Sequence, residues 1–437
     1  MKATPIDYQL VKSKIEASGL SPVGKGSIRE LVRLVNEIEK ASGEKFIRME
    51  MGVPGLNPPD IGTEAEIAAL RKGVASKYPM IEGLDSLKKE ISRFLHLFMN
   101  VAVDEKNCLT SVGSMQGAFA TFLVACRRDI NKPKTLFIDP GFPVQKQQMK
   151  VLGLPYETFD VYNYRGEALR EKLESYLKKG DIGTLIYSNP NNPSWICFTE
   201  RELKIIAELA NQYDVIVIED LAYFGMDFRK DYSIPGQAPY QPSVAHYSDN
   251  YILLISSSKA FSYAGQRIGA LVISDSLAVR KFPDLKRFFS SDQFGYAMVY
   301  GGLYALSSGV THSAQYGFAA MLKAVNDGEF NFVDSVKVYG DRAHVMKKLF
   351  TDNGFKIVYD KDEDELLADG FYFTISYPGF SGVELIEELL YYGVSAISLD
   401  ITGSERHEGL RACVSQVSDD QIKDLAYRLE QFHLHHS

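Results

Sequence analysis

The sequence predicts an α/β protein with a largely parallel sheet covered by helices. Short β-rich runs alternate with longer stretches at helical spacing through the middle of the chain. Several of these runs are continuously apolar, as strands buried on both faces are. At 437 residues and 45% apolar composition, the chain can bury a large core, read as one large domain plus a smaller one.

Taken in order, the first fifty residues hold one strongly amphipathic helix, Ile28–Ser42, too small to be a domain. Strands are expected at 108–111, 135–139, 184–188, 215–219, 251–256 and 269–274, and helices at 116–128, 166–179 and 199–213. The last of these opens Thr199-Glu200-Arg201-Glu202, a threonine answered three residues on by a glutamate, which is a capping box. Beyond about residue 308 the alternation loosens into long helices. A strand at 371–376, a helix at 383–392, strands at 393–398 and 410–415 and a closing helix at 419–433 follow. That stretch reads as a separate α+β unit, joined near 328–334. His433, His435 and His436 are expected at a frayed, solvated end.

A net charge of −8 and a pI near 5.6 argue against nucleic acid or an anionic membrane as partner, since either needs a basic field. Cys108, Cys126, Cys197 and Cys413 are scattered without a CxxC pair. Neither a disulfide framework nor a metal site is indicated, and the expected compartment is reducing. The first eight residues lack the apolar core of a signal peptide, and no apolar run reaches the ~18 residues of a membrane span. The expected location is cytoplasmic.

Chemistry concentrates in five separated motifs. Lys259 ends an apolar run through Ser256-Ser257-Ser258 and is answered eight residues on by Arg267. A lysine after a buried strand, flanked by hydroxyls and an arginine, suits a Schiff base to a phosphorylated aldehyde. Gly113 and Ser114, in Val112-Gly113-Ser114-Met115-Gln116-Gly117, form a strand-to-helix turn whose backbone amides make an anion site. The others are Ser188-Asn189-Pro190-Asn191-Asn192-Pro193-Ser194, Glu219-Asp220-Leu221-Ala222-Tyr223 and Leu410-Arg411-Ala412-Cys413-Val414-Ser415. Asp220 ends a predicted buried strand, where open α/β sheets bind ligands.

In their order along the chain the motifs resemble those of the class I/II aminotransferases, pyridoxal-5'-phosphate enzymes of fold type I, and the resemblance runs from about Gly52 to Ser415. It implies a three-layer sandwich around a mostly parallel sheet. It also implies a smaller α+β domain built from both chain ends: an arm at 1–50, a large cofactor-binding domain at 51–328 and a small domain at 329–437. Lys259 would form the Schiff base with the cofactor and then move the substrate's Cα proton as general base and acid. Asp220 would pair with the pyridine nitrogen, and Asn192 and Tyr223 with the phenolic oxygen. Gly113, Ser114, Ser256 and Arg267 would hold the phosphate, with Phe142 stacked on the ring. Arg411, with Gly52 and Asn192, would bind the substrate carboxylate. Tyr78, in Tyr78-Pro79-Met80-Ile81-Glu82-Gly83-Leu84, would reach the phosphate of a neighbouring subunit, which implies a homodimer with composite sites. Trp195 stands where the family has glycine. Its indole is expected to pack away from the site, against Ile196-Cys197-Phe198; the other placement narrows the substrate entrance.

The implied substrates are an amino acid and a 2-oxo acid. The same residues serve carbon–sulfur lyases and decarboxylases of this fold type, and a regulatory protein that keeps the cofactor site is a third reading. Ser256-Ser257-Ser258-Lys259 also spells Ser-x-x-Lys, but Ser248-Asp249-Asn250 precedes it and no Lys-Thr-Gly follows, which is the wrong order for a penicillin-binding serine acylase. Gly113-Ser114-Met115-Gln116-Gly117 is not a hydrolase elbow, and neither a GxGxxG nor a Walker loop occurs.

Overall fold

The computed structural model describes residues 4–437. Residues 1–3, the start of the expected arm and of the segment read as leaderless, lie outside the described residues. Seven strands form the central sheet: β1 (Cys108–Ser111), β2 (Lys134–Asp139), β3 (Tyr156–Asp160), β4 (Ile182–Ser188), β5 (Ile216–Leu221), β6 (Tyr251–Ser256) and β7 (Gly269–Ile273). Their order is β1-β7-β6-β5-β4-β2-β3, parallel throughout except that β7 runs antiparallel to both its neighbours.

The period-two alternation of the strands builds the layers. Val217, Leu221, Leu253 and Ile255 enter one apolar cluster with the helices Asp85–Met99, Glu200–Gln212 and His312–Asn326. Ile216, Ile218, Ile252 and Leu254 enter another with Ala118, Phe122 and Val124 of the helix Gly113–Ala125. The sheet is therefore sandwiched between two helix layers, which is why β5, β6 and β7 are buried along their whole length.

A third cluster joins the two chain ends. Its four-stranded antiparallel sheet runs β10 (Ile397–Ser398), β11 (Leu410–Cys413), β9 (Tyr372–Ser376), β8 (Lys356–Ile357). Ile47–Arg48 from the amino-terminal end pairs in parallel with Val394–Ser395. The helix Ile28–Ser42 supplies Leu31, Leu34, Val35 and Ile38 and opens on a Ser27/Glu30 capping box; the Thr199/Glu202 box forms as well.

Several expectations need correction. The segment 393–398 is two short strands, because Ala396 separates residues that pair with Ile47–Arg48 from residues that pair with β11. β3, an edge strand with only its last two residues buried, was not anticipated. The helices expected from 116 and 166 begin at Gly113 and Ala168. The histidine tail is neither frayed nor free. The last helix runs Asp419–His436, with His433 bonded to the Tyr377 hydroxyl at 2.9 Å, His435 to that of Tyr392 at 2.8 Å, and His436 to Glu388 at 2.9 Å.

Candidate active site

The carboxyl ends of β2, β4, β5 and β6 open toward the two-ended unit, where open parallel sheets present loops and unspent backbone polarity. A cavity of about 220 Å³ lies there, lined by Gly52, Ser114, Phe142, Asn192, Asp220, Tyr223, Ser256, Lys259, Arg267 and Arg411, together with Tyr372, Ile28, Met115, Ser188, Ala222, Ser258 and Ala264. Motifs separated by up to 359 positions in sequence thus converge on one space.

Lys259 leaves β6 in a turn in which Ser257 spends its hydroxyl on Ile268 O (2.6 Å) and Ser258 N–H donates to Ser256 Oγ (3.1 Å). Its Nζ donates to the Gly52 carbonyl and lies 5.4 Å from the Phe371 ring centroid. Burial, with the positive charges of Arg411 and Arg267 adding to it, lowers the Lys259 amine to about 8. Arg267 has φ +52 and donates to Ala264 O at 2.8 Å. Gly113, at φ +64, opens the helix behind it; a Cβ there would stand 2.7 Å from Arg267 Nη2, so only glycine lets the guanidinium approach this helix end.

Of the two carboxylates ending β5, only Asp220 faces the cavity. It accepts from Gln145 Nε2 (2.8 Å) and Ala222 N–H (3.2 Å), and burial raises it to about 6. Glu219 points to the opposite face of the sheet. There it accepts from Ser243, from Tyr187 Oη (3.2 Å) and from Val244 N–H (3.3 Å), and burial raises it to about 7. The period of two puts only one of the adjacent pair at the cavity.

Arg411 enters from β11. Its Nη1 donates to Asn192 Oδ1 (3.2 Å) and its Nη2 to Glu50 O (2.6 Å), while the buried Nε has no hydrogen-bond partner among the described residues. The Tyr223 hydroxyl meets that of Tyr372 at 2.8 Å.

Tyr78 does not line the cavity of its own chain and is 93% exposed. Trp195 keeps φ +66 and is fully buried without lining the cavity. Its partners are not Ile196-Cys197-Phe198 but Tyr223 and Tyr372, met edge-on at 5.3 and 6.1 Å, and Gly370, where a Cβ would overlap the indole. Tyr372 and Gln145 escaped the sequence reading. Tyr372 is one of many aromatics in an apolar strand, and Gln145 is an ordinary polar residue within a helix.

The chain resembles known proteins over most of its length. It is 25% identical over 360 residues to the LL-diaminopimelate aminotransferase of Natranaerobius thermophilus, covering 79% of this chain and 84% of that protein. Among solved structures, YbdL of Escherichia coli, for which a methionine aminotransferase function was identified, superposes with a TM-score of 0.74 at 17% identity, over 93% of this chain and 97% of that one. Thermus thermophilus aspartate aminotransferase with maleate gives 0.73 at 18%, over 97% and 98%. At those identities the likeness is one of fold. Residues 44–429 match the family described as aminotransferase class I and II, and the chain belongs to that family.

Proposed function

We propose that this aminotransferase moves an amino group between an amino acid and a 2-oxo acid with pyridoxal 5'-phosphate carried on Lys259. The observation that carries this reading is the convergence of Lys259, Asp220 and Arg411, from three separate elements, on one cavity. The residues fit such a cofactor end to end. Ser114 at a helix start, Ser256 and Arg267 form an anion cradle at one side, Asp220 offers a buried carboxylate at another, and Phe142 supplies an aromatic face. Arg411, which lines the same cavity, then remains for a substrate carboxylate.

When bound, the cofactor supplies an electron sink for the bonds at the substrate Cα. The chain supplies binding, orientation and proton movement. Asp220 keeps a proton on the ring nitrogen. Asn192 and Tyr223 donate to the ring oxygen, Gly113 lets the phosphate cradle close, and Arg411 with Gly52 and Asn192 orients the α-carboxylate. The Lys259 amine, once free, carries the proton from Cα.

We further read 1–50, 51–328 and 329–437 as arm, large domain and small domain. Supporting this, one apolar cluster gathers residues 6–49 with most of the buried apolar residues beyond 336, although it also takes in Trp195, Tyr223 and Met226. The active unit is a homodimer in which Tyr78 completes the partner's phosphate site, and the protein works in the cytoplasm. Among the described residues no helix is long and apolar enough to cross a membrane.

Single-turnover mixing of the cofactor-loaded protein with individual amino acids tests the reaction. The visible band is expected to give way to that of the amine form of the cofactor and to return when a 2-oxo acid is added. Release of ammonia, sulfide or carbon dioxide without that return would overturn transfer in favour of elimination or decarboxylation.

A further inference from the structure

Tyr372 is tied to several site residues that were singled out in the sequence. Its hydroxyl meets that of Tyr223 at 2.8 Å, and its ring centroid lies 4.5 Å from Arg411 Cζ. A Cβ on Gly52 would overlap its oxygen, and the Gly52 carbonyl is the acceptor for Lys259 Nζ. Strand pairing fixes where it starts: Tyr372 lies on β9 opposite Cys413, two places along β11 from Arg411. Trp195 meets its ring edge-on from behind. Both phenols are fully buried, so each must satisfy its O–H locally.

We propose that Tyr372 is a positioning residue for the transfer reaction. Its O–H donates to the Tyr223 oxygen and so turns the Tyr223 proton toward the cavity, and its ring seats the Arg411 guanidinium. This rests on the reading in which Tyr223 donates to the cofactor's ring oxygen. A tyrosine has one proton to give. If Tyr223 gave its proton to Tyr372, none would be left for the cofactor, so the pair serves the site in one direction only. A hydroxyl that also accepts a hydrogen bond is a stronger donor. Burial pushes Tyr372 up to about 12 and holds Tyr223 well above the ordinary phenol value, outweighing the pull of the Arg411 charge in the opposite direction. Both phenols therefore keep their protons throughout the working range.

The test is a pH titration of the visible band of the pyridoxal-phosphate-loaded protein for wild type, Tyr372→Phe, Tyr223→Phe and the double variant. A donor to the ring oxygen stabilises the unprotonated form of the chromophore, so weakening it raises the midpoint. Tyr372→Phe is expected to raise it by about half a unit to one unit, Tyr223→Phe to raise it further, and the double variant to match Tyr223→Phe alone. An unchanged midpoint in Tyr372→Phe, or additive shifts in the double variant, would overturn the proposal. Tyr372→Phe keeps the ring, so the KM for the amino donor should hold while kcat falls about three- to tenfold. Tyr372→Leu removes the ring and should raise KM as well; equal KM in both variants would sink the Arg411 half. If the wild-type protein showed no pH-dependent visible band, the cofactor reading itself would fail, an outcome distinct from any of these.

Discussion

Two titrations separate the residues that face the cavity from those that only share its strands. Lys259 must be neutral to attack an aldehyde, and burial beside two guanidinium groups lowers it to about 8. The rate at which cofactor-free protein takes up pyridoxal phosphate, followed by visible absorbance, should therefore rise with pH to a plateau with its midpoint near 8. A midpoint near that of an exposed lysine, about 10, would show that the amine is not in this environment. Glu219 behaves in the opposite sense and away from the chemistry. Burial raises it from 4.5 to about 7, so the folded state holds its proton more tightly than the unfolded chain. Its contribution to stability is full below about 4.5 and lost as pH rises through 7. Glu219→Gln lacks that loss, so the unfolding free energy of the variant minus that of wild type, from denaturant titrations, should climb between those limits and then level, a rise on the order of 3 kcal/mol. A flat difference would contradict the burial. The sequence pointed to Asp220 through its place at the end of a predicted buried strand. It could not show Tyr372, since its importance lies in an oxygen meeting a residue 149 positions away.

At the scale of elements, the loop after β4 and the start of β9 are locked by one indole. Trp195 occupies a left-handed backbone conformation that glycine enters without cost, at about 1–3 kcal/mol for a residue with a side chain. It is held there because the ring fills the space between Tyr223, Tyr372 and Gly370. Gly370→Ala would drive a methyl group into that ring. The variant should lose about 1–3 kcal/mol and, because Trp195 is the chain's only tryptophan, shift its emission to the red. Unchanged emission with native stability would mean that the indole is not packed there. The same elements mark the limit of sequence reading. Strands buried on both faces were legible because their apolar runs are continuous, and β6 begins and ends where expected. β3 was not, because an edge strand with an exposed outer half carries neither a continuous nor a cleanly alternating pattern. The break at Ala396 was invisible because both halves of that run are buried and differ only in which strand they join.

At the scale of the whole molecule, one group of exposed side chains bears on assembly. The segment from Tyr78 to Gly83 runs beside β1, where Thr110 N–H donates to Glu82 O at 2.9 Å. It leaves Tyr78 and Met80 exposed, and Tyr296, Tyr300 and Tyr304 on the adjoining helical stretch are exposed too. A small cavity lined by both Glu82 and the Tyr296–Tyr300 pair links the two groups. Scattered exposed aromatics need no explanation, but a connected group of tyrosines and a methionine suits burial against a second copy. If Tyr78 then reaches the partner's cavity, each site draws Lys259 from one chain and Tyr78 from the other. Neither Tyr78→Phe nor Lys259→Ala dimers contain a site with both native residues. In a heterodimer of the two, the site built on the intact Lys259 receives the intact Tyr78, while the other site loses both. Random exchange of an equal mixture should leave about a quarter of all sites native, with native phosphate affinity in that fraction. Were Tyr78 to act within its own chain, no site in the mixture would hold both residues and exchange would restore nothing. Measuring cofactor affinity and turnover before and after exchange distinguishes these outcomes, and a protein that sediments as a fully active monomer would exclude the shared site altogether.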